Sequence, residues 1–251
     1  FIIINIEKKQ TLKKMLLIFA FFILTLDYYL LSGYQEYLVF SILIFIFYFY
    51  LKFYEKRQII FLIPVAFFIN SIIWIKNEAS FFILFFLLFA FFYNFIDRKK
   101  INKELIFLSI FFVFAVFIKY LIFHQSFNLV NTGWEDYELN NLSEIFKFDY
   151  FIERSSAIFF SIFVALIKCK AYLVFLVVTI FYFNRNNFKK LMPYILFLLL
   201  NLSLIFLIYY LTNDPNWKHY LATTVDRLLF QTSGVFLIPT VYYLKQNINL
   251  K

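Results

Sequence analysis

Residues 80–96 read SFFILFFLLFAFFYNFI and carry no charged side chain. An α-helix needs about 20 largely apolar residues to cross a bilayer. Similar runs recur along the chain, and each predicts a further spanning helix: Met15–Leu31, Tyr37–Leu51, Ile59–Ile75, Leu105–Phe123, Ala171–Phe183, Leu191–Leu211 and about Leu228–Leu244. The sequence therefore predicts an all-α, polytopic helical membrane protein with about eight transmembrane helices, which form a single membrane domain over residues 1–251.

The composition supports this class. Of the 251 residues, 63% are hydrophobic and 16% are charged, whereas soluble domains carry about 25% charged residues. The net charge of +9 comes from Lys and Arg residues in short clusters between apolar runs. Such clusters orient membrane helices, so we exclude a nucleic-acid partner. Cys169 is the only cysteine, which excludes an intrachain disulfide and a cysteine metal cluster.

The clustered cations assign a side of the membrane to each turn, because positively charged loops stay in the cytoplasm. The turns with most of the Lys and Arg residues are assigned to the cytoplasm: Lys8, Lys9, Lys13 and Lys14; Lys52, Lys56 and Arg57; Arg98, Lys99, Lys100 and Lys103; Arg185, Lys189 and Lys190; Lys245 and Lys251. The outer loops then lie at 76–79, 124–170 and 212–227. We expect an integral protein of the bacterial inner membrane whose site faces the periplasm.

The segment Phe148–Ile167 is apolar, but Glu153, Arg154 and Ser155 interrupt it early. If it crossed the membrane, the cationic cluster that follows would move to the outer side, against the charge rule. We therefore predict an interfacial helix that lies on the outer face. A ninth span is the alternative.

The first outer segment with candidate chemistry is Lys76-Asn77-Glu78-Ala79, between two apolar runs. It has the character of a tight turn whose lysine extends to lipid headgroups. The alternative is an ammonium and a carboxylate held at the rim of a cavity, where a lysine pairs with phosphate as a point charge.

The second segment is His219–Gln231, which reads HYLATTVDRLLFQ. Thr223 or Thr224 is predicted to cap a helix that begins there, with Asp226 in its first turn. Arg227 and Gln231 are four residues apart and so share a helix face. A guanidinium and an amide at membrane level suit a lipid phosphate. The alternative is an arginine that pairs with Asp226 or with lipid headgroups.

Other segments give weaker signals. The acidic loop Asn131–Glu138 could activate a hydroxyl or hold a cation, although such loops are more often only solvated. His124 and His219 are the only histidines and lie far apart, so no zinc site is predicted. The nucleotide, serine-hydrolase and zinc-protease motifs are missing. We identify no cofactor, and no motif calls for a divalent cation.

Taken together, two blocks resemble segments of bacterial multi-spanning glycosyltransferases. Lys76–Ala79 resembles their Lys-Asn-Glu-Gly segment, and His219–Gln231 resembles their C-terminal His-Leu-x-Thr-Ser-x-x-Arg-Leu-Leu-x-Gln segment. These are the GT-C-type enzymes, similar to protein O-mannosyltransferases and to the lipid A aminoarabinose transferase. The resemblance implies a glycosyltransferase that moves a sugar from a polyprenyl-phosphate-linked donor to a lipid, glycan or protein acceptor at the outer membrane face. The implied substrate-binding residues are Lys76, Glu78, His219, Arg227 and Gln231.

The chain departs from the family pattern at several positions. Ala79 stands where glycine is usual, and Thr224 stands where serine is usual. The family places its general base in an acidic first outer loop, but Asp27 and Glu36, which flank the first outer turn here, give no convincing match. We expect this chain to be the C-terminal portion of a longer enzyme, with the catalytic base in the preceding part.

Two other functions fit a polytopic chain. A transporter or flippase of lipid-linked oligosaccharides would favour ionisable residues deep within several spans and helices broken at the midplane. A polysaccharide polymerase or ligase would need a large outer loop rich in Arg and His, whereas residues 124–147 contain one His, one Lys and several acids. The glycosyltransferase is therefore the first hypothesis and the transporter or flippase is the alternative.

Overall fold

The computed structural model describes residues 35–98, 102–122, 147–181, 185–212 and 216–248, and the secondary structure in these ranges is helical. The helices are α1 (Gln35–Lys56), α2 (Leu62–Ile75, preceded by a 3₁₀ turn at Ile59–Phe61), α3 (Ala79–Arg98), α4 (Lys103–Tyr120), α5 (Phe148–Lys168), α6 (Lys170–Phe181), α7 (Arg185–Leu211) and α8 (Trp217–Ile248). The predicted all-α class is confirmed for these ranges.

Four helices of the described ranges are long and apolar enough to cross a membrane: Gln35–Lys56, Ala79–Ile96, Phe148–Lys168 and Phe188–Leu211. Two shorter apolar helices accompany them, at Ile59–Ile75 and Lys170–Ile180. These helices indicate a membrane protein. The count of eight spans stays a prediction, and the span at Met15–Leu31 lies outside the described residues, as do His124 and the loop Asn131–Glu138.

Two of the predicted outer loops contain long helices. Residues 212–227 were expected to be a loop, but α8 begins at Trp217 and continues past Arg227 without a break. Thr223 and Thr224 therefore lie inside the helix and cap nothing; the Thr223 hydroxyl donates to the carbonyl of His219. The predicted loop 124–170 contains α5 and the start of α6. Only the loop at 76–79 is short, since Lys76 is extended and α3 starts at Ala79.

Helices α1 and α8 run side by side in the same direction. Glu36 contacts Arg227 at the start of α1, and Phe40 stacks on Phe230 with 5.0 Å between ring centroids. Helix α7 runs antiparallel to α8, because Phe197 packs near Phe236 and the Tyr209 hydroxyl bonds to Thr224.

The centre of the bundle is an aromatic cluster in which α1, α3 and α7 meet. The ring of Phe47 contacts the rings of Phe86, Phe89 and Phe197, with centroids 4.7–5.1 Å apart. All four side chains are buried. Aromatic pairs at these distances add about 0.5–1.5 kcal/mol each beyond the area they bury. The abundant phenylalanine therefore joins helices across the core and does not serve only to face lipid.

Helix α5 is inclined to α8. Glu153 pairs with Lys218 and Lys168 pairs with Asp226. The two α5 residues are separated by about 22 Å of helix, whereas their partners are separated by about 12 Å. One face of α5 is buried, and the opposite face exposes large apolar side chains such as Phe148, Phe160 and Phe163. The interfacial placement stays a prediction, since α5 is also long enough to span.

A glycine sets the close approach of α1 and α8. A Cβ atom at Gly234 would lie 2.5 Å from Ile44 Cδ1 and 2.7 Å from Phe40 Cε2. We expect Gly234→Ala to lower the free energy of unfolding by about 1–3 kcal/mol, because overpacking outweighs the better helix propensity of alanine. Unfolding in detergent checks this, with Ala222→Leu on the exposed face of α8 as control. Unchanged stability in Gly234→Ala would show that α1 and α8 can move apart without a loss in the free energy of unfolding.

Candidate functional site

Three charged side chains, two from helices and one from the residue that follows α2, meet at one end of the bundle. The Glu36 Oε1 atom accepts a hydrogen bond from Lys76 Nζ at 2.6 Å and from Arg227 Nε at 2.9 Å, and Arg227 Nη2 donates to the same oxygen. Glu36 lies near the start of α1, Lys76 directly follows α2, and Arg227 lies on α8. We call Glu36, Lys76 and Arg227 the charge cluster.

The local sequence explains how each member reaches the cluster. Helix α1 begins at Gln35, so Glu36 is in its first turn, where a carboxylate is stabilised by the helix dipole. Helix α2 ends at Ile75 because Lys76 is extended, with φ −146° and ψ 146°. Arg227 lies ten residues into α8 because that helix starts early, at Trp217. The cluster therefore ties together three elements that are distant in sequence.

Exposure within the charge cluster is uneven. The Glu36 side chain is 1% exposed, whereas Lys76 is 14% and Arg227 is 33% exposed. One negative charge faces two positive charges, so the cluster is a net cation. A carboxylate this well buried must be paired, since an isolated buried charge is strongly unfavourable. The surface of the cluster that solvent or a headgroup can reach is thus contributed by the two cations.

Gln231 lies one helical turn beyond Arg227 and is 1% exposed. Neither its amide nitrogen nor its amide oxygen has a hydrogen-bond partner, and the Glu36 Oε2 atom also lacks one. Buried polar groups in folded proteins nearly always have partners. The region below the two cations is therefore polar but unsatisfied in the protein alone.

A second lysine holds the loop that carries Lys76. Lys119, in the last turn of α4, donates to the carbonyl of Ile73 at 2.5 Å and to Asn77 Oδ1 at 2.8 Å. Glu78 lies near enough for its charge to act on the Lys119 ammonium. One carbonyl in the last turn of α2, that of Ile73, gains a donor in this way. The charge of Glu78 thus acts on Lys119, whereas Lys76 pairs with Glu36.

His219 is exposed, and its ring lies 6.0 Å from that of Tyr220. It precedes Arg227 by two helical turns, or about 12 Å along α8. Asp226 does not pair with its neighbour Arg227; it accepts a bond from Lys168 at 3.0 Å. Of the five predicted substrate-binding residues, the structure brings Lys76 and Arg227 together and places Gln231 beside them. Glu78 lies at Lys119 and His219 is more distant.

Arg154 forms a separate cluster at the end of α7. Its Nη1 atom donates to the carbonyls of Tyr209 at 2.9 Å, Tyr210 at 3.3 Å and Thr212 at 2.5 Å. The guanidinium lies against the rings of both Tyr150 and Trp217, 4.6 Å and 4.7 Å from their centroids. Arginine thus caps the C-terminal carbonyls of α7, where cations are favoured, and fixes the start of α8.

Sequence reasoning missed the centre of the charge cluster. Glu36 was noted as an acid beside the first outer turn, but no local motif distinguishes it. The available signal was an acid at the start of an apolar run, on the side where Lys76 and Arg227 were also placed. An unpaired charge at a membrane edge is costly, so pairing of this acid with one of the two cations was the expected arrangement.

Comparison with known proteins identified no relative of this chain. No protein-family description, curated protein or solved structure matches this chain.

Proposed function

We propose that the charge cluster binds the phosphate of a polyprenyl-phosphate-linked sugar, and that the chain is part of a membrane glycosyltransferase that acts at the outer face. The observation that supports this is the convergence of Lys76 and Arg227 on one partly exposed point, 2.6 and 2.9 Å from a shared carboxylate oxygen. The resemblance of the two sequence blocks that contain these cations supports the same function.

The chemistry of sugar transfer from a lipid phosphate needs such a pair. As the sugar leaves, negative charge develops on the phosphate, and cations placed at that point stabilise it. Arginine offers a planar set of donors that matches phosphate oxygens, and lysine adds a point charge. The apolar surface of the helices accommodates the polyprenyl chain, and the acceptor would be a lipid, glycan or protein that reaches the periplasmic face.

Glu36 serves this site as a positioning residue. Its carboxylate is enclosed and already shared by two cations, which leaves it unable to approach an acceptor hydroxyl. It holds the ammonium and guanidinium side by side where their mutual repulsion would separate them.

The placement of charges favours the transferase over a transporter or flippase. A transport pathway places ionisable groups near the midplane, commonly on discontinuous helices. In the described part of the chain, Glu36, Lys76 and Lys119 lie at the ends of α1, α2 and α4, and Arg227 lies level with them. Helix α8 is continuous through Pro239. These four charges therefore mark one end of the bundle and not a path through it.

Arg227→Ala is expected to weaken binding of polyprenyl phosphate about ten- to a hundredfold, because it removes charged hydrogen bonds worth about 1.5–3 kcal/mol. The affinity of Arg227→Lys should lie between those of wild type and Arg227→Ala, because lysine keeps the charge but loses the planar set of donors. The dissociation constant is measured by titrating polyprenyl phosphate into the full chain in lipid nanodiscs.

The matched control is Lys218→Ala on the same helix as Arg227; it removes one cation from an exposed pair with Glu153 of α5. It is expected to leave the dissociation constant unchanged. Equal binding by Arg227→Ala and wild type, with both folded, would contradict the phosphate site. Equal losses in Arg227→Ala and Lys218→Ala would assign the effect to general charge attraction.

A further inference from the structure

The turn between α1 and α2 exposes consecutive residues at the end of the bundle away from the charge cluster. Residues 55–60 read EKRQII, and all of them are exposed. Helix α1 runs from Glu36 in the charge cluster to Lys56 in this turn, which is about 30 Å of helix. The hydrocarbon core of a bilayer is also about 30 Å thick. The turn and the charge cluster therefore lie at opposite faces of the membrane.

Two cations of this turn, Lys56 and Arg57, have no carboxylate partner in the part of the chain that the structure describes. The acid beside them, Glu55, pairs with Lys52 at 3.3 Å. The Lys56 Nζ atom instead lies 5.4 Å from the ring centroid of Phe61. The turn thus carries a net positive charge, and its two exposed cationic groups can meet an external anion.

Arg57 has a backbone conformation that is usual for glycine. Its φ is 58°, and its N–H donates to the carbonyl of Phe53 at 2.8 Å, so it ends α1 in the left-handed capping arrangement. A residue with a Cβ atom adopts this conformation at a steric cost. The guanidinium lies 5.0 Å from the ring centroid of Tyr54 and 5.9 Å from that of Phe53. Because these contacts already restrict the side chain, little of its freedom remains to be lost on binding.

An exposed apolar stripe leads from this turn along α2. It consists of Ile60, Ile63 and Phe67, and each of these side chains is more than 60% exposed. Side chains three and four residues apart are neighbours on a helix surface, so the three form one continuous strip. Lys56 adjoins the strip through its contact with Phe61. A cationic group and an apolar surface are therefore contiguous here, which is typical of a site that contacts a membrane.

We infer that the turn between α1 and α2 binds an anionic membrane lipid, with its phosphate at Lys56 and Arg57 and an acyl chain along Ile60, Ile63 and Phe67. Arginine matches phosphate oxygens with a planar set of donors, and lysine adds a point charge. A lipid is favoured over an acidic soluble protein because the stripe continues along an apolar helix, where an occupant must lie within the bilayer. This inference does not depend on the proposed function, since the charge cluster lies at the other face.

The experiment titrates phosphatidylglycerol and, separately, phosphatidylcholine into the full chain in neutral detergent, and native mass spectrometry measures the bound lipid. Lys56→Gln and Arg57→Gln each remove one charge, and the second keeps a residue with a Cβ atom at the left-handed position. We expect each to lower the affinity for phosphatidylglycerol about fivefold and to leave that for phosphatidylcholine within about twofold of wild type.

The matched control is Lys189→Gln, which removes an exposed cation near the start of α7, at the same end of the bundle. It should change neither affinity. Equal losses in Lys189→Gln and Arg57→Gln would overturn the inference and assign the effect to general charge attraction. Thermal unfolding of each variant distinguishes these results from misfolding.

Two other outcomes would also contradict the lipid site. Equal affinities of wild type for the two lipids would show that the cations do not select a headgroup, and an acidic protein would then be the better candidate. Equal losses of both lipids in Arg57→Gln would assign its effect to the apolar surface. Failure of polyprenyl phosphate to bind would contradict the proposed function alone, because that probe tests the charge cluster at the other face.

Discussion

Glu36→Ala is expected to lower the free energy of unfolding by about 3–5 kcal/mol, the effect of removing one partner from a buried ion pair. The variant leaves Lys76 and Arg227 facing each other without the oxygen that both of them contact. Their repulsion acts between α2 and α8, so the helix ends should separate. Denaturant unfolding of the purified chain in detergent measures this change.

Two further variants show whether the charge or the shape of Glu36 is responsible. Glu36→Gln keeps the volume and one acceptor oxygen but removes the negative charge, so its stability should lie between those of wild type and Glu36→Ala. Glu153→Ala removes a carboxylate that pairs with Lys218 at the surface, where both side chains are more than 60% exposed; it should be neutral, as exposed pairs usually are. Stability equal to wild type in Glu36→Ala would mean that the cations find other partners.

Arg154→Ala is expected to have a comparable effect, about 3–5 kcal/mol, for a different reason: it removes several hydrogen bonds from a charged group, each worth about 1.5–3 kcal/mol. The carbonyls of Tyr209 and Thr212 lose the guanidinium donor, whereas that of Tyr210 keeps the Tyr150 hydroxyl; the rings of Tyr150 and Trp217 lose the cation that lies against them. Desolvated contacts of this kind add about 2 kcal/mol. The connection between α7 and α8 should loosen, and the early part of α8 with it.

The measurement for Arg154 combines unfolding with tryptophan fluorescence, because Trp217 lies against the guanidinium. Arg154→Lys is the informative companion. Lysine keeps the positive charge but has no planar group that can contact two rings while donating to several carbonyls, so it should recover only part of the lost stability. Full recovery in Arg154→Lys would contradict the importance of the planar group, and unchanged stability in Arg154→Ala would contradict the cap.

Helix positions followed well from sequence where the signal was local. The runs around Tyr37–Leu51, Ser80–Ile96 and Leu191–Leu211 all became helices that are long and apolar enough to cross a membrane. The predicted helix boundaries were wrong where polar residues are part of a helix because they contact other helices. The start of α8 was predicted near Thr223, yet the helix begins at Trp217, whose ring packs against Arg154 of α5.

The sequence by itself determined that this chain is a helical membrane protein with Lys76 and Arg227 near a common edge. Apolar run length and charge clusters are local properties, so they can be read without a fold. Only the tertiary structure decided that both cations meet at Glu36, which is 191 positions before Arg227, and that Arg154 caps α7. Any acid on that edge could have paired with either cation; the choice depends on α1 and α8 lying side by side, which Gly234 permits by having no side chain.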